Sequence, residues 1–155
     1  MQGEPVELIS FNVNGVLNPV KRSKILSKLK REKAQVAFLQ ETHLSQSEHV
    51  KLRRQGFKNV FLSSYMAGHR RGVAILISNT INNEHISELQ DGEGRFIKIT
   101  GKIEGQEMTF INVYIPGSNW TIYKQIFDLM VNSQGLVICG GDFNIRLNPK
   151  LDVSG

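Results

Sequence analysis

The chain has 155 residues, 40% hydrophobic and 21% charged, a balance that supports one packed domain over residues 1–155 and excludes wholesale disorder. Lysine and arginine number 19 against 14 aspartate and glutamate, and the resulting charge of +5 leans toward a polyanionic partner. One cysteine, Cys139, excludes a disulfide framework and a cysteine-built zinc site; no run reaches the ~18 apolar residues of a membrane span, and the start lacks a signal peptide's basic and apolar regions, so an intracellular protein without membrane partners is expected.

Residues 6–13 read as a strand ending at Gly15. Asn18 followed by Pro19 is an N-cap with proline at the first helical position. The helix that follows turns Val20, Ile25, Leu26 and Leu29 inward, with Lys21, Arg22, Lys24, Lys28, Lys30 and Arg31 around the remainder. Residues 35–40 form a short apolar strand that runs straight into Glu41, and 57–63 form another. The stretch 72–78 is apolar at successive positions, the pattern of a strand covered on both faces. Strands at 86–89, 96–101 and 108–115 follow, separated by turns such as Asp91-Gly92 and Glu104-Gly105. A second helix starts near Ser118 or Asn119, repeats Ile122, Ile126, Leu129 and Met130 at helical spacing, and has Gly135 as its C-terminal cap. The last strand, 136–139, enters Gly140-Gly141-Asp142-Phe143-Asn144. Many strands with two helices predict an α/β or α+β sandwich.

Four of these apolar strands finish in residues that a buried strand end avoids: Asn12 and Asn14, Glu41, Asn112 and Tyr114, and Asp142 with Asn144. Period-two alternation puts Asn12 and Asn14 on one face, and likewise Asn112 and Tyr114. Taken singly, each has an ordinary structural reading as a turn residue, a strand terminus or a packed phenol. Taken together at equivalent strand ends, they predict a pocket of two carboxylates, amides and a phenol that would bind a cation and an anion. Carboxylates and amides without cysteine or a histidine cluster form a hard-oxygen set suited to Mg²⁺. The nucleotide-loop, zinc-protease and nucleophile-elbow motifs are all missing from the sequence.

The segments Phe11-Asn12-Val13-Asn14-Gly15, Gln40-Glu41-Thr42-His43-Leu44, Asn112-Val113-Tyr114-Ile115-Pro116 and Gly141-Asp142-Phe143-Asn144 resemble, in order, the motifs of the endonuclease/exonuclease/phosphatase superfamily. Within it the chain is most similar to the apurinic-type endonuclease domain of LINE-type non-LTR retrotransposons, through QETHL, residues 72–78 and the Asp91-Gly92-Glu93-Gly94 turn. The resemblance implies a DNase I-like α/β fold, a four-layer α/β/β/α sandwich. It implies an Mg²⁺-dependent phosphodiesterase that nicks DNA, with a nuclear location. Carried over by position, Glu41 is the metal ligand with Asn14 nearby, Asp142 activates the attacking water, and Asn12, Asn144 and Tyr114 hold the scissile phosphate.

In this family a further stretch follows the GDFN motif and ends in Ser-Asp-His, whereas here the last histidine is His85 and the sequence stops at Gly155. The expectation is therefore a domain lacking its C-terminal part, with an incomplete second sheet, lowered activity and self-association through that sheet. A lost acid–base group lowers rate by ~10²–10⁴. Arg70 and Arg71, before a buried strand, and Lys21 and Arg22, in the basic helix, are the expected DNA-binding residues. Two other functions fit the same scaffold: a non-catalytic remnant that binds nucleic acid or protein, and a phosphomonoesterase acting on small phosphates. Cys139 is expected to be inert core, and Trp120 to pack at a helix start.

Overall fold

The computed structural model describes residues 5–115, 117 and 120–143. Asn144 and the expected helix start at Ser118 or Asn119 lie outside the described residues. In chain order the elements are β1 (Leu8–Asn12), α1 (Pro19–Arg31), β2 (Val36–Gln40), a 3-10 turn (Glu48–Leu52), β3 (Asn59–Ser63), β4 (Val73–Ile77), β5 (Asn83–Gln90), β6 (Phe96–Ile103), β7 (Gln106–Tyr114), α2 (Trp120–Val131) and β8 (Leu136–Asp142). They form two four-stranded sheets, ordered β1-β2-β4-β3 and β5-β6-β7-β8. β1 runs parallel to β2, and β7 parallel to β8; the other pairings are antiparallel.

Side-chain alternation explains the layering. Along β2 and β4, Ala37, Leu39, Ala74 and Leu76 face one way and pack under Leu26 and Leu29 of α1. Val36, Phe38, Val73, Ile75 and Ile77 face the other way, against Ile97, Ile99, Met108 and Phe110 of the second sheet. The opposite face of that sheet, with Phe96, Ile111 and Val113, is covered by Ile122 and Ile126 of α2. The order is helix, sheet, sheet, helix, as expected. Phe38 and Phe110 meet edge-on between the sheets, their ring centroids 6.0 Å apart, and burying each such side chain contributes about 1.5–3 kcal/mol.

Local signals explain the helix ends. Asn18 Oδ1 accepts hydrogen bonds from the backbone N–H groups of Val20 and Lys21, 2.8 and 3.1 Å long, and Pro19 sits in the first turn. Lys28, Lys30 and Arg31 occupy the last turn, where cations oppose the helix dipole. Val20, expected inside, is 63% exposed, while Leu26 and Leu29 on the same helix are buried. Met130 is likewise exposed, and Trp120, at 81%, touches Tyr123 but lies largely open. Gly135 does not cap α2, which ends at Val131; it leads into β8 at a φ of +71°, with the Glu107 carbonyl where a Cβ would stand. Among the described residues, β1 and β8 are edge strands on the same side of the sandwich, and Leu136 on β8 is exposed.

The 3-10 turn was not anticipated, although its signature is in the sequence. Ser45 Oγ accepts from the Glu48 N–H, and Glu48 Oε1 accepts from the Ser45 N–H at 2.8 Å, a reciprocal capping box. The turn buries His49 and Leu52.

Candidate active site

One end of the sandwich collects the C-terminal ends of β1, β2, β7 and β8. Asn12 lies opposite Gln40 in the first sheet, and Tyr114 opposite Asp142 in the second. The chain leaves β2 through Glu41, whose φ of +53° turns it out of the strand line. That left-handed backbone is held by three main-chain bonds. Gly15 N–H donates to the Glu41 carbonyl at 2.7 Å, Thr42 N–H to Gly72 at 3.1 Å, and His43 N–H to Arg71 at 2.8 Å. Asn14, His43 and Arg71 share the positive φ, as do Gly15, Gly72 and Gly94. Residues in this sparsely populated region persist only where their surroundings over-determine them.

Asn12 joins the acids. Its Nδ2 donates to Glu41 Oε2 and, at 3.1 Å, to Asp142 Oδ2. Its Oδ1 accepts from the Asn14 N–H at 2.8 Å. One amide thus holds a carboxylate of each sheet and uses its other end to shape the following turn. Asn14 lies past the end of β1, so strand alternation does not govern it; its backbone carbonyl takes a 2.8 Å bond from Lys21 Nζ. The Tyr114 hydroxyl donates to Glu41, and its ionisation is pushed upward by burial first, then by the negative charges of Glu41 and Asp142. It is a neutral donor at physiological pH. His43 Nε2 stands 3.5 Å from Glu41 Oε1.

Asn112 is absent from this rim. It is fully buried two residues below Tyr114, where it bonds to the first sheet. Tyr65, which sequence reasoning missed, borders the rim on the other side. Arg71 lies over its ring at 4.2 Å and Arg70 at 5.9 Å, within cation–π range. Arg71 also pairs with Glu93 at 3.9 Å. Arg22 is tied to the chain itself, donating to the carbonyls of Val16 and Leu17 at 3.1 Å each. Behind Glu41, Thr42 Oγ1 is 2.9 Å from Nε2 of the buried His49, whose pKa burial lowers to about 4. Cys139 is half-buried, its thiol pushed by burial to about 11, which leaves it unreactive.

The donors fit a hard cation. Among the described residues no group of three or more histidine, cysteine, aspartate or glutamate side chains forms a protein-built cage. Two oxygen donors, Glu41 and Asp142, stand together at an open rim. Mg²⁺ asks for one or two carboxylates and fills its other positions with water and phosphate oxygens.

The sequence matches the Endonuclease/Exonuclease/phosphatase family over residues 9–150. It is 26% identical over 150 residues to the transposon TX1 uncharacterized 149 kDa protein of Xenopus laevis, a match that covers 94% of this chain and 11% of that protein. Among solved structures it resembles D. rerio TDP2 complexed with a single-strand DNA product, at a TM-score of 0.72 and 19% identity, covering 97% of this chain and 65% of that one. It also resembles the endonuclease domain of TRAS1, a telomere-specific non-LTR retrotransposon, at a TM-score of 0.66 and 16% identity, covering 92% and 61%. The chain therefore spans about a tenth of the transposon protein and less than two thirds of the retrotransposon domain.

Proposed function

This chain belongs to the Endonuclease/Exonuclease/phosphatase family, and from that premise we propose that it is the larger part of a retrotransposon-type endonuclease domain that hydrolyses phosphodiester bonds in DNA with Mg²⁺. The observation that carries the reading is the single Asn12 amide holding Glu41 and Asp142 together at the end of two sheets. The transposon relative and the DNA-bound structural neighbour support the substrate class.

In this reading Glu41 holds the metal, with Asn14 beside it. When bound, the metal supplies Lewis-acid stabilisation to a phosphoryl oxygen. Asp142 orients a water in line with the phosphorus and accepts its proton. Asn12 has its amide engaged at both ends, so its part is to keep the two carboxylates in place. Tyr114, kept protonated by its surroundings, is a hydrogen-bond donor for a phosphate oxygen. Arg70 and Arg71 beside Tyr65, with Lys21 across the rim, hold flanking phosphates. Asn144 completes the phosphate contacts by the family resemblance.

A supercoiled-plasmid assay tests this. With Mg²⁺ the chain nicks DNA, and Asp142→Ala lowers the rate by ~10²–10⁴; chelation abolishes it. DNA binding without nicking in either the chain or a longer form selects the non-catalytic binding role. Turnover of a small phosphomonoester in place of plasmid selects the phosphatase chemistry.

A further inference from the structure

Between the two sheets, just below the carboxylates, the apolar layer is interrupted by a hydrogen-bonded pair. Gln40 and Asn112 are 1% and 0% exposed. Asn112 Nδ2 donates to the carbonyls of Leu39 and Ala74 at 3.0 and 2.8 Å, and these two residues lie directly opposite each other in β2 and β4. Asn112 Oδ1 accepts from Gln40 Nε2 at 2.8 Å. One side chain of β7 is thus bonded at three points to the middle of the facing sheet. Apolar side chains would fill the same space, but they leave neighbouring sheets free to adjust against each other. Hydrogen bonds to fixed carbonyls permit one placement, and a mismatched placement leaves buried polar groups unpaired.

We propose that Gln40 and Asn112 are positioning residues, and that their cross-sheet bonds set the spacing between Glu41 and the Tyr114–Asp142 pair. The leverage is short. Gln40 immediately precedes Glu41, and Asn112 lies two residues before Tyr114, which faces Asp142 in the β7–β8 register. The Asn12 amide can reach both carboxylates only while that spacing holds. The inference rests on the proposed hydrolytic site for its kinetic consequence and on the fold alone for its geometry.

Gln40→Met keeps the length and bulk of the side chain and removes the donor. At a temperature where both proteins are fully folded, we expect kcat for plasmid nicking to fall ~10–100-fold with KM within about twofold, the pattern of a misplaced reacting group. A crystal structure of the variant should show the Asn12 amide touching only one of the two carboxylates. Ser10→Ala removes a second acceptor of Gln40 within its own sheet, 3.1 Å away, and leaves the cross-sheet bond; it should nick at the parental rate. A folded Gln40→Met protein with unchanged kcat and both Asn12 bonds intact overturns the proposal. If the parent protein does not nick, the hydrolytic reading fails alone, and the crystal structures still decide the geometry. Should Gln40→Met not fold, side-chain amide exchange on the parent decides instead. Asn112 protons exchanging ~100-fold more slowly than those of exposed Asn82 support the clamp, and equal rates refute it.

Discussion

The space between the two sheets has two ends of opposite chemistry. At one end Ile77, Ile81, Ile99, Ile103, Met108 and Phe110 close a dry contact. At the other, β1, β2, β7 and β8 finish in Gln40, Asn112, Tyr114 and the Asn12-bridged carboxylates. β7 runs through both ends, with Met108 and Phe110 at one and Asn112 and Tyr114 at the other on the same face, so along that strand the difference lies in residue type. The apolar end supplies free energy without demanding one geometry. The polar end adds little net stability, since each bond replaces one to water, yet it fixes where two acids stand.

Substitutions at the two ends should therefore separate stability from chemistry. The largest effect is expected at the apolar end. Phe110→Ala should lose about 3–5 kcal/mol of unfolding free energy in denaturant titration, while the Asn12 bonds persist in whatever fraction stays folded. Parental stability in that variant would mean that the layer collapses around the gap. A smaller effect belongs to His49 behind the rim. Its folded pKa of about 4 lies below the ordinary ~6.5, so the unfolded chain binds more protons between those values. Stability is then complete above about pH 6.5 and falls as pH drops toward 4, by about 3 kcal/mol in all. His49→Gln should flatten this segment of the pH–stability curve, and an unchanged slope would place its origin elsewhere. The smallest effect is expected outside both ends. Charge reversal at Arg70 and Arg71 should reduce the salt dependence of DNA binding by roughly 0.9 log units per log unit of salt for each phosphate no longer neutralised. Binding indifferent to salt would remove these arginines from the phosphate path.

Features that depend on neighbouring residues were legible in the sequence. Asn18-Pro19 announced α1 because an N-cap and a proline act within one turn. The unbroken apolar run of 72–78 required cover on both faces of its strand, while the four-layer order itself was implied by the family resemblance. Asn12, Glu41, Tyr114 and Asp142 were visible as polar residues ending apolar strands, and the structure gathers them at one rim. What escaped depends on partners distant in sequence. Asn112 carries the same polar signal as Tyr114, but its partners are carbonyls of another sheet, which periodicity cannot register. Val20 fits the helical apolar stripe, yet it stands exposed while Leu26 and Leu29 are buried, a difference in tertiary cover that periodicity does not register. Tyr65 has no motif, and only the folded loop brings Arg70 and Arg71 over its ring.

The left-handed residues around the rim have one more consequence. Glu41, His43 and Arg71, with Gly15, Gly72 and Gly94, are pinned by main-chain bonds along the rim, and Asn14 is held by the Asn12 and Lys21 side chains, so the surface offered to a ligand is finished before any ligand arrives. A rim of that kind does not mould itself to what it meets. On the DNA reading, the duplex must do the bending, and the work of deforming it varies with base sequence even where no base edge is touched. Cleavage preferences would then be found in the mechanics of the nucleic acid, at its easily kinked pyrimidine–purine steps, rather than in a code of side chains reading bases.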